Sequence, residues 1–194
     1  MAGRPRVFDE QAVIDRAIDV FWMKGYEAAS ADELLAAMNM GKGSFYLAFR
    51  GGKKELYERS LEQFNRVAMK KFEADLAKSN DKILFIRNFF LSLATSSKNR
   101  QMKGCYLGNA LVEMAGQDAP LQKKAAHLLG VLEDHFLDII RQAQQEGKLK
   151  TKEKPETLAR HLINLWNGIN ITRRMHPSDP GLEAMIQLNL SVLH

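Results

Sequence analysis

The chain has 194 residues, 45% apolar and 26% charged, a net charge of +5 and a single cysteine. That length holds one medium domain or a small domain fused to a larger one; the composition excludes a disordered chain, and one cysteine excludes an internal disulfide framework. No apolar run approaches the roughly 20 residues that cross a bilayer, and no apolar stretch follows the first six residues as a leader peptide requires, so a cytoplasmic location without a membrane partner is expected.

The predicted elements are helices almost throughout, with breaks at Gly, Pro and Asn clusters. Asp9 caps a first helix over about 10–24, whose apolar set is Val13, Ile14, Ala17, Ile18, Phe21 and Trp22, and Gly25-Tyr26 ends it. Ser30-Ala31-Asp32-Glu33 reads as a capping box opening a short second helix over about 31–38, followed by Asn39 at a left-handed turn position. A third short helix covers about 42–48. Arg50-Gly51-Gly52 breaks the chain, and a long fourth helix runs over about 53–78. Further helices are predicted at about 81–97, 104–115, 120–146, 155–175 and 180–193. The fold class is therefore all-α: an N-terminal three-helix unit over residues 1–52, joined through the long helix to a larger helical unit over 53–194.

Two short helices joined by a tight turn form a helix-turn-helix, the second of which enters the major groove. The segment Met40-Gly41-Lys42-Gly43-Ser44-Phe45-Tyr46-Leu47-Ala48-Phe49 suits that role. Glycine costs a helix about 1 kcal/mol against alanine, so two glycines around Lys42 imply close approach to the backbone by something outside. Lys42 suits a guanine edge or a phosphate; Ser44 and Tyr46 offer hydroxyls; Phe45 and Phe49 face inward. Arg4 and Arg6 form a basic arm suited to the minor groove. Lys53 sits at a helix start, where backbone amides already favour phosphate. Bulk charge does not carry this reading: residues 1–58 hold eight Lys and Arg against nine Asp and Glu. Segregation does, because six of those bases lie at 4–6 and 42–54.

Phe21-Trp22-Met23-Lys24-Gly25-Tyr26, Ala29-Ser30, Leu34 to Met38, Gly41 to Phe49 and Lys53-Lys54-Glu55-Leu56, taken together, resemble the TetR/AcrR family of regulators. The resemblance covers about the first 60 residues. It implies a three-helix DNA-binding unit, a divergent ligand-binding unit and a dimer on a palindromic operator. It implies DNA contacts at Ser30, Lys42, Gly43, Ser44, Tyr46 and Lys53, and the candidate set is completed by Arg4, Arg6, Gly41 and Leu47. Asn39 stands where the family usually has Gly, Gly41 replaces a common Ser, and the Arg50-Gly51-Gly52 connection is one residue longer than usual, which makes Lys54 the alternative to Lys53 against phosphate.

Two late helices are apolar on nearly every side and so are buried on every side. Leu158, Leu162, Leu165 and Ile169 on one, and Leu182, Met185, Ile186 and Asn189 on the other, are the candidate dimer surface, as the resemblance implies; filling a monomer core is the alternative. Candidate effector residues are Phe89, Met102, Cys105, Asn109, Val112 and Trp166. Cys105, Asn109 and Val112 share one helical face, with Asn109 placed to hydrogen-bond a ligand and Cys105 either a reactive thiol or inert packing. His127, His135, His161 and His176 are scattered, so neither a metal nor a cofactor is expected. Gly41-Lys42-Gly43-Ser44 lacks the upstream glycine and strand of a phosphate-binding loop. No nucleophile–base constellation points to an enzyme. A ligand-controlled repressor on double-stranded operator DNA is expected; a helical carrier or a protein-interaction module are the rivals.

Overall fold

The computed structural model of the protein describes residues 9–176 and 179–194; Arg4 and Arg6 lie outside them. Among the described residues there are ten helices and no strand. Asp9 accepts from the Gln11 and Ala12 amides and starts α1 (Glu10–Ala28), which turns Val13, Ile14, Ala17, Ile18 and Phe21 inward. Gly25, at φ 83° and ψ 176°, breaks this helix where expected, but helical turns resume as far as Ala28. The Ser30–Glu33 capping box opens α2 (Ala31–Met38), and Asn39 closes it at φ 52° and ψ 46°. Then come α3 (Lys42–Ala48), anchored by buried Phe45 and Phe49, and α4 (Gly52–Ala77).

The larger unit continues with α5 (Lys82–Leu91), α6 (Lys98–Lys103), α7 (Tyr106–Glu113), α8 (Ala119–Gln145), α9 (Pro155–Met175) and α10 (Leu182–Leu190). The expected helix over 81–97 is shorter, and α6 was not expected. The cause is local: the Ser92 hydroxyl donates to the Phe89 carbonyl (2.7 Å) and that of Ser96 to the Leu93 carbonyl (2.9 Å). Such back-bonding favours turns over helix. Helix α8 is the central strut and packs on α4, α5, α7 and α9.

The two units share an aromatic seam. Phe21 and Trp22 of α1 meet Tyr57 and Phe64 of α4 at centroid distances of 4.8 and 5.0 Å, and Phe64 meets Tyr106 of α7 at 5.2 Å. Beneath it, the buried hydroxyls of Ser60 and Tyr106 share a 2.7 Å hydrogen bond. Fully burying a Phe-sized side chain contributes about 1.5–3 kcal/mol, so this seam ties the three N-terminal helices firmly to the body.

The candidate dimer residues correct the sequence reading. Leu158, Leu162, Leu165, Ile169, Leu182 and Ile186 are buried within the subunit's own core, and Met185 and Asn189 are half-buried. Helical periodicity marks a face as apolar without saying which surface covers it; here α5 and α8 cover most of it.

Candidate nucleic-acid interface and effector cavity

Helix α3 presents Lys42, Gly43, Ser44, Tyr46 and Leu47 to solvent, Leu47 at 81% exposure. Phe45 and Phe49, with ring centroids 5.4 Å apart, hold its other face down. A Cβ added at Gly41 or Gly43 would meet nothing within 4 Å, so the fold itself has no need of glycine at either place. Ser30 is exposed, but its hydroxyl is occupied: it caps α2 by accepting from the Glu33 amide (3.3 Å) and donates to the Glu33 carboxylate (3.0 Å). Lys24 and Ser30 bonding to Glu33 hold its carboxyl down at about 2.

The two lysines that open α4 differ. Lys53 is half-buried, 4.7 Å above the Tyr26 ring, and donates to the Glu27 carbonyl (3.2 Å). Lys54 pairs at 2.5 Å with Asp118, whose carboxylate also accepts from the Leu121 amide (3.1 Å) to cap α8. This pair raises the lysine's pKa and lowers the aspartate's. Lys54 therefore braces α4 against the body rather than standing free for phosphate.

The effector candidates separate into two groups. Cys105, Asn109 and Val112 line a cavity of about 520 Å³ between α7, α8 and α9, together with Leu111, Glu113, Leu129, Asn167, Asn170, Ile171 and Arg174. Phe89 and Trp166 instead stack at 5.3 Å in the body's aromatic core, and Met102 is exposed on α6. Asn109 is already bonded: it donates to the Lys103 carbonyl (2.9 Å) and accepts from Arg174 (3.0 Å). Cys105 is buried at the start of α7, where it accepts from the Gly108 amide (3.3 Å) and from Trp166 Nε1 (3.4 Å). Burial pushes its thiol pKa up despite those bonds, the opposite of an activated thiolate. Lys103, two residues before it, is turned to Asp19 at 2.9 Å.

Sequence reasoning missed Glu113. Its carboxylate lines the cavity and also accepts from the backbone amides of Tyr26 (2.9 Å) and Glu27 (3.0 Å), across the Gly25 break that leads into the helix-turn-helix. A Cβ on Gly25 would stand 2.8 Å from that carboxylate. The pairing bridges 87 residues of chain, so no local pattern announces it. Arg173 and Arg174 were also missed; as a tandem at the end of an apolar helix they read only as cations placed for the helix dipole.

Among the described residues no three His, Cys, Asp or Glu side chains come together as a metal site, and no helix is long and apolar enough to cross a membrane.

Comparison with known proteins fits this geometry. Residues 13–59 match the family model for bacterial regulatory proteins of the tetR family, and residues 85–188 match the tetracyclin repressor-like C-terminal domain. The uncharacterized HTH-type regulator YezE of Bacillus subtilis is 26% identical over 98% of this chain and 99% of its own length. The HTH-type transcriptional repressor ComR of Escherichia coli is 26% identical over 96% of this chain and 88% of its own. Among solved structures, a cysteine mutant of the TetR-family regulator CifR complexed with 26-bp operator DNA superposes with a TM-score of 0.84, at 23% identity, over 99% of this chain and 100% of that one. With a helix-turn-helix at one end and a helical body matched over more than half the sequence, the chain belongs to the TetR family of bacterial transcriptional regulators.

Proposed function

We propose that this protein is a ligand-responsive repressor that binds a palindromic operator as a homodimer and leaves it when a small molecule enters the α7–α9 cavity. The observation that carries the reading is the outward face of α3, where Lys42, Ser44, Tyr46 and Leu47 stand exposed beside two glycines that the fold does not require. A duplex lying against the backbone supplies that requirement. Lys42 reads a base edge or a phosphate, and Tyr46 and Ser44 position the helix on the backbone.

The dimer surface is the exposed stripe that remains once the buried leucines are set aside: Arg160, Asn164, Gly168, Ile171 and Met175 on α9, with Ala184 and Leu188 on α10 and Ser191 at its end. The spacing of three and four residues makes each set one helical face. Gly168 permits close helix approach. Two-fold pairing there sets the recognition helices at a fixed separation, matched to half-sites about one DNA turn or a multiple apart.

Glu113 links the cavity to the reading head. A ligand that shifts α7 draws on the turn after Gly25, and the operator-competent spacing is lost. Such a ligand works only by favouring the released state over the bound one.

Gel-shift titration on the flanking intergenic DNA tests the proposal. Lys42→Ala weakens operator binding by about 1–3 kcal/mol if Lys42 reads a base, or uniformly across sequences with a shallower salt slope if it meets phosphate. Undiminished affinity in that variant overturns the assignment.

A further inference from the structure

One corner of the cavity carries positive charge without a counter-charge. Arg174 donates from Nε to the Met102 carbonyl (3.0 Å) and from Nη2 to the Lys103 carbonyl and to Asn109 Oδ1 (3.0 Å). These acceptors are all neutral, and Nη1 has none among the described residues. Arg173 beside it is only 3% exposed. It donates to Asn170 Oδ1 (2.8 Å), the Arg100 carbonyl (3.2 Å) and Ser96 Oγ (3.4 Å), and its Nε has no partner. Burial lowers its pKa, and so do Arg100 and Arg174, as like charges must. Among the described residues no carboxylate forms an ion pair with Arg100, Arg173 or Arg174, whereas neighbouring Lys103 has Asp19.

Neutral carbonyls satisfy a guanidinium's hydrogens without neutralising it, and a charge withdrawn from water without a counter-ion is costly: Arg173 is buried behind the cavity wall, and Arg174, which lines the cavity, is half-buried. The cavity's other titratable groups do not fill that place. Burial keeps the Cys105 thiol protonated, and the Glu113 carboxylate, though charged, lies against the Tyr26 and Glu27 amides and forms no ion pair with Arg174. Gly104, at φ 66°, lets the Arg174 guanidinium lie against the chain: a Cβ there would stand 2.7 Å from its Cζ. The Asn167 amide also lines the cavity and makes no hydrogen bond to the described protein, while Leu111, Leu129 and Ile171 supply apolar wall.

We propose that the cavity is a site for a small organic anion, a carboxylate with an apolar tail, whose head pairs with Arg174 Nη1 and Asn167 and whose tail lies on Leu111 and Leu129. Its role as the effector rests on the function proposed above. A carboxylate matches the planar guanidinium, and about 520 Å³ lies within the ordinary range for small-ligand sites.

Calorimetric titration of the full chain with hexanoate, hexanamide and hexan-1-ol tests the site. Hexanoate binds at least about tenfold more tightly than hexanamide, and Arg174→Gln, with helical content checked by circular dichroism, abolishes that preference. Hexanamide binding as well as hexanoate, or no hexanoate binding at all, overturns the proposal. Should Arg174→Gln fail to fold, the preference of the unmodified protein decides alone. Hexanoate preference without release of operator DNA in a gel shift supports the anion site and overturns its role as effector.

Discussion

Glu113 and Gly25 act as one unit, because the carboxylate can reach the Tyr26 and Glu27 amides only where residue 25 lacks a side chain. Glu113→Ala leaves both amides without their acceptor and lowers stability by about 1–3 kcal/mol in urea unfolding. Gly25→Ala strains a backbone conformation open essentially to glycine and drives a methyl into the carboxylate, so it destabilises by about 1–3 kcal/mol or more in the same measurement. Glu33 makes a prediction in pH. Its pKa falls from 4.5 to about 2 in the fold, chiefly through Lys24 and the Ser30 amide. A depressed carboxylate stabilises the fold in full above its ordinary value and loses that contribution as pH drops through the folded one. The α2 cap therefore loosens between about 4.5 and 2, and Glu33→Gln removes that part of the acid dependence, as titration by NMR would show.

The exposed stripe on α9 and α10 belongs to two helices at once. Leu188 is 73% exposed at its centre on α10. Leu188→Glu puts a charge into the proposed two-fold contact and yields monomers by size-exclusion chromatography with light scattering, whereas the helical spectrum stays unchanged. A dimer that survives Leu188→Glu argues for another surface. The start of α1 and the boundaries of α2 to α4 were legible because their signals are local: the Asp9 cap, the Ser30–Glu33 box, Asn39 and the paired glycines each act within a few residues. The stop at Leu91 was legible in principle from the run of Ser92, Thr95, Ser96 and Ser97, the last of which caps α6. The side of α9 that faces outward was not legible, because Leu162 and Ile169 carry the same apolar pattern whether their own subunit or a mate covers them. Phe89 and Trp166 posed the same ambiguity; they stack on each other in the core instead of lining the cavity.

Across the molecule, the aromatic seam and the Glu113 bonds to the Tyr26 and Glu27 amides make the three N-terminal helices dependent on the body. Exposing Phe21 and Tyr57 costs the apolar burial that both units share. We expect a single cooperative thermal transition, seen alike by circular dichroism and by tryptophan fluorescence, since Trp22 lies on the seam and Trp166 in the body core. Two separate transitions would mean that the seam does not bind the units into one folding block.

The glycines carry a consequence for how this protein tolerates change. Gly25 and Gly104 are demanded from within, by a positive φ and by the side chains of Glu113 and Arg174. Gly41 and Gly43 have open space around them. A saturation library scored twice, once for cellular abundance and once for reporter silencing, should therefore split these four positions. Substitutions at the first pair deplete the protein itself; substitutions at the second leave it plentiful and mute.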